Sequence, residues 1–506
     1  MKKNRYQFDF LSRAIASAVG TLFPGAAVQY LQKRKKLAQY TSARSTGPDK
    51  LWKPGNRSAD SILARDRAIV MSLARDLERN SPHVAGAINK ICNNVIYTGI
   101  FPQARLKDAD GKLKKAQNDR IETAFNDWAD AVNFYEKQEL VLRHLFIDGE
   151  ILIHHHYDKH LQDQGVIPLG IELFEPDYID GTVSGVMANG NIAKSGIEYG
   201  AHGWPTAYYM YKNHPGETSF SQNLGETRRV SSSEICHVFH PRRASQGRGV
   251  SWLASIICEM RDFTEYQSNE RIANRLLSAF GIFLESPYPE HQLNNPLFQE
   301  PTAEASEETD TTGKYIEPGR IDVLPQGTKP HAFQYTRPGI TYEPFTKVSL
   351  KSASTGTGIS YENFSNDYEG ATFSSARQAV LEERRGYRKI QAFINRRFNS
   401  WIWRTWNGYA NVSKTIGTLP DRIPVKWQNP GWPWIDPAKD AKGAEIELAL
   451  KITNRRRLAA ERGLDWDEEI EELADEEAIL KEKGFINNDE LETNAGPDDE
   501  PEPERD

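Results

Sequence analysis

Cysteine is scarce in this sequence, and what there is carries no pattern. Cys92, Cys236 and Cys258 stand at unpaired spacing among 506 residues, which excludes a disulfide framework and gives no reason to expect an oxidising destination. Each reads as a small buried hydrophobe. Long apolar runs are missing too: no window approaches the roughly 18 uninterrupted apolar residues of a membrane span, so no membrane is expected among the partners. The stretch "AIASAVGTLFPGAAVQYL" behind a basic start has the outline of a secretory signal, but Pro24 and Gly25 break it and "QKRKK" follows. A reducing, cytoplasmic folding site is the expectation.

Signatures of the commonest catalysts are absent as well. "DADGKLKK" holds a Gly-Lys pair but lacks the earlier Gly and the Ser or Thr that a phosphate cradle and its Mg²⁺ need, which excludes a P-loop motor. Neither GxSxG nor HExxH occurs. Carboxylates such as those of "DPAKD" are too frequent to single out an acid–base pair. No cofactor and no catalytic constellation is expected.

What is present is a large, polar and unevenly charged chain. Its length predicts about three folded units, and 38% apolar with 26% charged residues suits a broad exposed surface. The net charge of -7 conceals an asymmetry: residues 465–506 hold 19 acidic and three basic side chains, leaving 60 basic and 51 acidic in the rest. A mildly basic body of this kind can meet nucleic acid without being built to grip it.

Along the chain, the first 50 residues read as a basic, mobile or partner-dependent arm. From Asp60 onward Ile62, Leu63, Ile69, Val70, Leu73 and Leu77 recur at helical steps. "NSPHVAGAINKICNNVI" predicts a second helix with Ser81 as N-cap and Pro82 at the first helical position. Residues 120 to 240 alternate helix with strand-like runs ("ILIHHHYD", "IPLGIELFEPDYID", "GIEYG", "PTAYYMYK"), which indicates an α+β domain. "HVFHPRRASQGRGVSWL" leaves it through a Gly- and Arg-rich turn. From Ser251 to about Glu285 an apolar stripe including Leu253, Ile256, Ile257, Met260 and Phe263 predicts a helix of about 30 residues, roughly 45 Å long. A proline-broken acidic excursion follows, with short strands near "IDVLPQG" before the chain returns.

Polar and aromatic residues fill "GTGISYENFSNDYEGATFSSARQ". Ser375 followed by Gln378 fits a capping box that would close this loop and open a helix of about 28 residues. Val380, Tyr387, Ile394 and Trp401 mark its apolar face. Glu382, Glu383, Arg384, Arg385, Arg388, Arg396 and Arg397 crowd the other. A last helical region runs to Lys483, and the acidic end after it is expected to be disordered. His154 and His156 would share one strand face, but a metal site needs a third ligand, with Glu150 or Asp158 nearest and His237 and His240 only if the fold delivers them. A polar strand face is the favoured reading; a metal-dependent nucleic-acid enzyme is the alternative.

Several stretches, in order and spacing, resemble the lambda-like phage portal protein family. They are "LARDLERNSPHVAGAINKICNNVIYTGI", "FIDGEILI", "ELFEPDYID", "ICHVFHPRRASQGRGVSWLA", "GTGISYENFSNDYEGATFSSARQAVLEERRGYRKIQ" and "PWIDPAKDA". The resemblance covers roughly residues 10 to 480. Its most specific pieces hold Gln246, Arg248 and Gly249 in one block and Ser374, Ser375 and Arg377 in the other. It implies an α+β portal fold: a basic arm (1–54), an α/β wing (55–250), a first stem helix (251–280), a clip (281–340), a second stem helix (341–358), a tunnel loop (359–375), a long wing helix and return (376–436), a crown of helices (437–483) and the acidic tail (484–506).

The same resemblance implies a non-enzymatic homo-oligomeric ring, a dodecamer in particles, at one capsid vertex. Double-stranded DNA would pass through it, and terminase large subunit, head-completion or adaptor proteins, and major capsid and scaffolding proteins would be its partners; another capsid or adaptor component is a further alternative. Tyr361, Asn363, Asn366, Asp367, Tyr368 and Glu369 would line the channel, Gly356 and Gly370 would let the loop move, and Lys347 and Lys351 would present basic groups to DNA or pair between subunits. Without the resemblance, Asn, Asp and Gly in a turn and a charged helix face read as an ordinary solvated surface.

Overall fold

The computed structural model describes residues 56–217, 225–279, 283–285, 322–324 and 342–483; the basic arm, most of the expected clip and the acidic tail lie outside the described residues. Instead of three folded units, the described residues from Leu63 onward form one compact unit.

Helix α1 (Ala59–Asn80) runs into α2 (Pro82–Val95), where Ser81 is the N-cap and Pro82 takes the first helical position, its missing N–H costing nothing there. The inward face of α1 differs from the predicted one: Met71, Ala74 and Leu77 are buried, while Ile69 and Leu73 are exposed. Arg67 and Arg75 flank that buried side and reach interior carboxylates, so ionic contacts, not the apolar residues alone, set the rotation of the helix. Strand β1 (Phe101–Ala104) pairs antiparallel with the distant β12 (Val425–Gln428). Helices α3 (Lys115–Ala131) and α4 (Phe134–Ile147) bring Phe125, Trp128 and Phe134 against Phe398, Trp403 and Trp406, with ring centroids 5.1–5.7 Å apart. The buried indoles of Trp128 and Trp403 donate to the carbonyls of Leu169 and Ile423 at 2.8 and 3.0 Å, which keeps their burial from stranding a polar group.

Strand β2 (Glu150–Tyr157) lies between β3 (Leu169–Phe174) and β9 (Ile235–Phe239) in an antiparallel sheet, with the short α5 (Lys159–Asp163) in the β2–β3 connection. A five-stranded meander, β4 (Gly185–Val186), β5 (Ile192–Lys194), β6 (Ile197–Tyr199), β7 (Pro205–Tyr211) and β8 (Thr227–Ser231), forms the second sheet. Leu152, Ile179, Ile197, Tyr208, Met210, Val230 and Ile235 pack into a small core of their own. Cys92 and Cys236 are buried, which pushes both thiols up to about 12; Cys258, expected to be buried, is exposed.

A 3₁₀ turn (Trp252–Ser255) precedes α6 (Ile257–Ala279), so the predicted 30-residue helix is divided near its root. Parallel strands β10 (Phe283–Glu285) and β11 (Asp322–Leu324) follow, and α7 (Tyr342–Thr357) returns alongside α6. Tyr266 meets Tyr342 and Phe345, Ser352 donates to Glu259 at 2.6 Å, and a Cβ on Gly356 would lie 2.3 Å from Ile256 Cγ2. Gly356 is therefore a packing residue where α7 meets the 3₁₀ turn ahead of α6, not a hinge.

Beyond α8 (Tyr361–Ser365), α9 (Phe373–Ile394) continues through a π-helical turn (Asn395–Asn399) into α10 (Ser400–Ser413). The turn widens where buried amides bond side to side: Asn395 Nδ2 to Asn429, Asn399 Nδ2 to Asn395, and Gln138 Nε2 to Asn399. Helices α11 (Pro437–Ala449), α12 (Arg455–Glu461) and α13 (Trp466–Glu482) complete the described chain. Part of the acidic run is thus a helix, tied to the body through Arg105 beside Asp465 and Asp467.

One buried carboxylate joins most of these pieces. Glu150 accepts from Arg248 Nη2 (2.6 Å) and Nε (2.9 Å), Arg67 Nη1 (3.0 Å), His237 Nε2 (2.9 Å) and the Gly249 amide (2.5 Å). Arg248 also donates to the carbonyls of Ser195 and Pro176, which ties in the second sheet. Gly149 and Gly249 let two backbones touch: a Cβ on Gly149 would lie 2.0 Å from the Val250 carbonyl carbon, and one on Gly249 2.3 Å from the Gly149 oxygen. Burial alone would push the Glu150 pKa up, but Arg248, the His237 hydrogen bond and Arg67 hold it well below the usual carboxylate range.

Replacing Glu150 by Gln leaves two inward guanidiniums without their counter-charge, and we expect a loss of about 3–5 kcal/mol in denaturant unfolding. Burial also lowers the pKa of His237. Both groups thus favour the folded state fully above their unfolded pKa values, and the contribution drains away as pH falls, from about 6.5 for His237 and about 4.5 for Glu150. A melting curve taken from pH 7 to pH 5 should lose less stability in His237→Gln than in the wild type.

Candidate functional site

The segment from Ser360 to Ser375 contains no lysine or arginine and three acidic residues, Glu362, Asp367 and Glu369. It is more ordered than a flexible loop. Ser360 caps α8 by accepting from the Asn363 amide at 3.3 Å, Asn366 ends that helix in the left-handed region (φ 58°), and Gly370 (φ 77°) turns the chain toward α9. The capping box exists but sits three residues earlier than predicted: Thr372 is the N-cap, accepting from the Ser375 amide at 3.2 Å, and Ser375 answers at the Thr372 amide at 3.1 Å. A serine at the third helical position does here what Gln378 was expected to do three residues after Ser375.

Two anchors hold this segment from beneath. Phe364 is buried, with His83 stacked on it at 6.2 Å and Phe263 beyond at 5.8 Å; burial lowers the pKa of His83. Glu383, assigned to the charged face of the long helix, is buried instead. Its carboxylate accepts from the Ser360 amide (2.5 Å), Asn363 Nδ2 (2.7 Å) and Tyr387 hydroxyl (3.2 Å). Sequence held a clue, since Glu383 is four residues before Tyr387 and eleven before Ile394, on the apolar face. Nothing comparable marked Lys90, which donates to the Asn363 carbonyl and to Asn366 Oδ1.

The proposed lining residues fall into two groups. Tyr361, Asn363 and Asp367 are half-buried: Asn363 bonds Glu383, and Tyr361 donates to Asp367 at 2.7 Å, which holds the Asp367 carboxyl below its ordinary range. Asn366, Tyr368 and Glu369 are exposed, with the Tyr368 hydroxyl donating to Asn363 at 3.0 Å. Lys347 pairs with Glu343 (2.6 Å) and Glu369 (3.4 Å), and Lys351 lies over the Tyr361 ring at 5.2 Å. Both lysines therefore face partners in their own chain. Lys90, Lys347 and Lys351 thus each hold a partner within the segment.

The other singled-out residues have structural duties. Gln246 receives the Arg242 amide and donates to the Arg248 carbonyl, both at 2.8 Å, shaping the turn that presents Arg248 and Gly249 to Glu150. Arg377 pairs with Asp440 at 2.6 Å, joining α9 to α11, and Ser374 is exposed. His154 and His156 do share a face of β2, but neither predicted companion joins them: Glu150 is committed to its cluster and Asp158 caps α5. His237 belongs to Glu150, and His240 packs against Trp252 and Phe393.

Replacing Glu383 by Ala removes three acceptor bonds and strands the Ser360 amide. We expect a loss of about 2 kcal/mol, read as hydrogen exchange at residues 360–367 faster by more than about tenfold, with Glu383→Gln recovering part of the protection.

Residues 45–391 match the family model described as "Phage portal protein, lambda family". The chain is 25% identical over 466 residues to the probable portal protein of Halomonas phage phiHAP-1, covering 88% of each. It is 21% identical over 470 residues to portal protein B of Escherichia phage lambda, covering 82% of this chain and 85% of that one. A looser likeness links it to the neck of an empty gene transfer agent particle, at a TM-score of 0.41 and 14% identity, over 79% of this chain and 99% of that chain. On the family match over most of its length, the chain belongs to the lambda family of phage portal proteins: it is a structural component of the phage head–tail connector and not an enzyme.

Proposed function

We propose that copies of this chain close head-to-tail into a ring, a dodecamer, at one capsid vertex, and that double-stranded DNA enters and leaves through its opening. Residues 55–250 form the wing, 251–280 and 341–358 the stem, 281–340 the clip and 437–483 the crown, with residues 359–375 at the narrowest part of the channel. The clip receives the terminase large subunit during packaging, and head-completion or adaptor proteins follow it; scaffolding and major capsid proteins surround the ring as it assembles in the host cytoplasm.

The observation that carries this reading is the self-neutralised loop. A sliding polyanion releases counterions at every lysine or arginine it meets, and each such contact must be broken for it to advance. Here Tyr368, Glu369, Gly370 and Thr372 are exposed without a basic neighbour in sequence, and Lys90, Lys347 and Lys351 are turned onto the loop's own carbonyl, carboxylate and ring. Rigid anchoring through Phe364 and Glu383 keeps that surface in place under load.

Two replacements test it in opposite senses. Alanine through Asn366–Glu369 should still permit rings, seen by negative-stain imaging, yet impair packaging or DNA retention. Tyr368→Lys adds one cation per subunit around the opening and should slow packaging in low salt, with recovery as salt is raised. Normal packaging by both kinds of ring removes this segment from the channel; failure of purified chain to form any ring removes the conduit itself.

A further inference from the structure

His154 and His156 alternate along β2 and so project from the same face, opposite Glu172 and Gly170 of β3. Gly170 makes room for an imidazole, since a Cβ there would lie 2.3 Å from His156 Nε2. The two rings lie nearly parallel, 20° apart with centroids at 6.2 Å. One ligand atom from each of His154, His156 and Glu172 falls within 4.8 Å of the others. Both histidines also keep a buried Nδ1 with no hydrogen-bond partner, a cost that folded proteins rarely bear without a reason.

We propose that this face binds one divalent transition-metal ion of the zinc class, through His154, His156 and Glu172, as a clip between β2 and β3. Two imidazoles and a carboxylate suit zinc better than calcium or magnesium, which prefer all-oxygen shells. Tetrahedral zinc wants ligand atoms roughly 3.4 Å apart, and the exposed Glu172 side chain has the freedom to close the remaining gap. Glu172 Oε2 lies 3.7 Å from His154 Nδ1, on the ion's side of the ring; Glu234 Oε2 lies 3.7 Å from Nε2, on the other. A second grouping among the described residues, Glu175, Asp177 and His214, has both carboxylates paired to Arg75 and makes a poorer site.

Full-length chain stripped with EDTA and titrated with Zn²⁺ by calorimetry, and with Co²⁺ by its visible absorption, tests the site. About one ion per chain is expected, with a zinc-dependent rise in melting temperature. His154→Ala, His156→Ala and Glu172→Gln should each weaken binding by at least about tenfold. His155→Ala, whose ring bonds Tyr409 at 3.0 Å on the opposite face, should leave binding unchanged. Circular dichroism of the metal-free variants separates lost ligands from lost fold, and Glu172→Gln, on an exposed side chain, remains informative if a histidine variant misfolds. Zinc retained by a folded His154→Ala/His156→Ala chain, or no zinc bound by the wild type, overturns the proposal.

Discussion

A single ionised carboxylate, Glu150, sits fully buried where the sheets, the first helix and the root of α6 meet. Such a charge is tolerable inside a protein only when its lone pairs are satisfied, and Glu150 is surrounded by donors from Arg67, His237, Arg248 and Gly249, drawn from separate stretches of chain. That requirement accounts for much else. It rotates α1 away from its most apolar face, demands glycine at 149 and 249 where backbones touch, and uses Gln246 to shape the turn that carries Arg248. The Gln246–Gly249 block is therefore a structural latch, and its position just before α6 means that the pair of helices α6 and α7 is rooted in the same ionic cluster.

From that root, α6 and α7 run side by side, closed at their base by Gly356 against Ile256. α7 leads directly into α8, and α8 is held down by Phe364 and by Glu383 of the long helix. The Arg377–Asp440 pair ties the near end of the long helix to the C-terminal helices, and the amides at the π turn tie its far end to Asn429, just after β12. The cation-poor character of the loop surface follows from this packing as much as from composition, because Lys90, Lys347 and Lys351 are spent on partners within the chain.

Some of this was legible in the residues. Pro82 behind Ser81 marked a helix start, the alternating run at Glu150–Tyr157 marked a strand, and the Tyr387–Ile394 period marked the buried face of α9. Other readings failed for definable reasons. Periodicity ranks apolar side chains and is blind to charge, so it pointed α1 toward Ile69 and Leu73 and sent Glu383 to solvent. A three-residue capping pattern recurs within "TFSSARQ", and spacing alone cannot choose between Thr372 and Ser375 as the cap. Gly356 looked like a hinge because composition does not reveal the close approach to Ile256 that requires it.

By itself the sequence determined the class of the protein: an α+β chain without catalytic signatures, whose ordered motifs belong to the lambda family of portal proteins. Those are local or collinear properties, carried by neighbouring residues and their spacing. Tertiary structure alone decided which carboxylates went inside, which lysines were neutralised and which histidines came to face Glu172 across two strands. These outcomes depend on contacts between residues tens to hundreds of positions apart, where burial cost and hydrogen-bond geometry, and not local preference, select the partner.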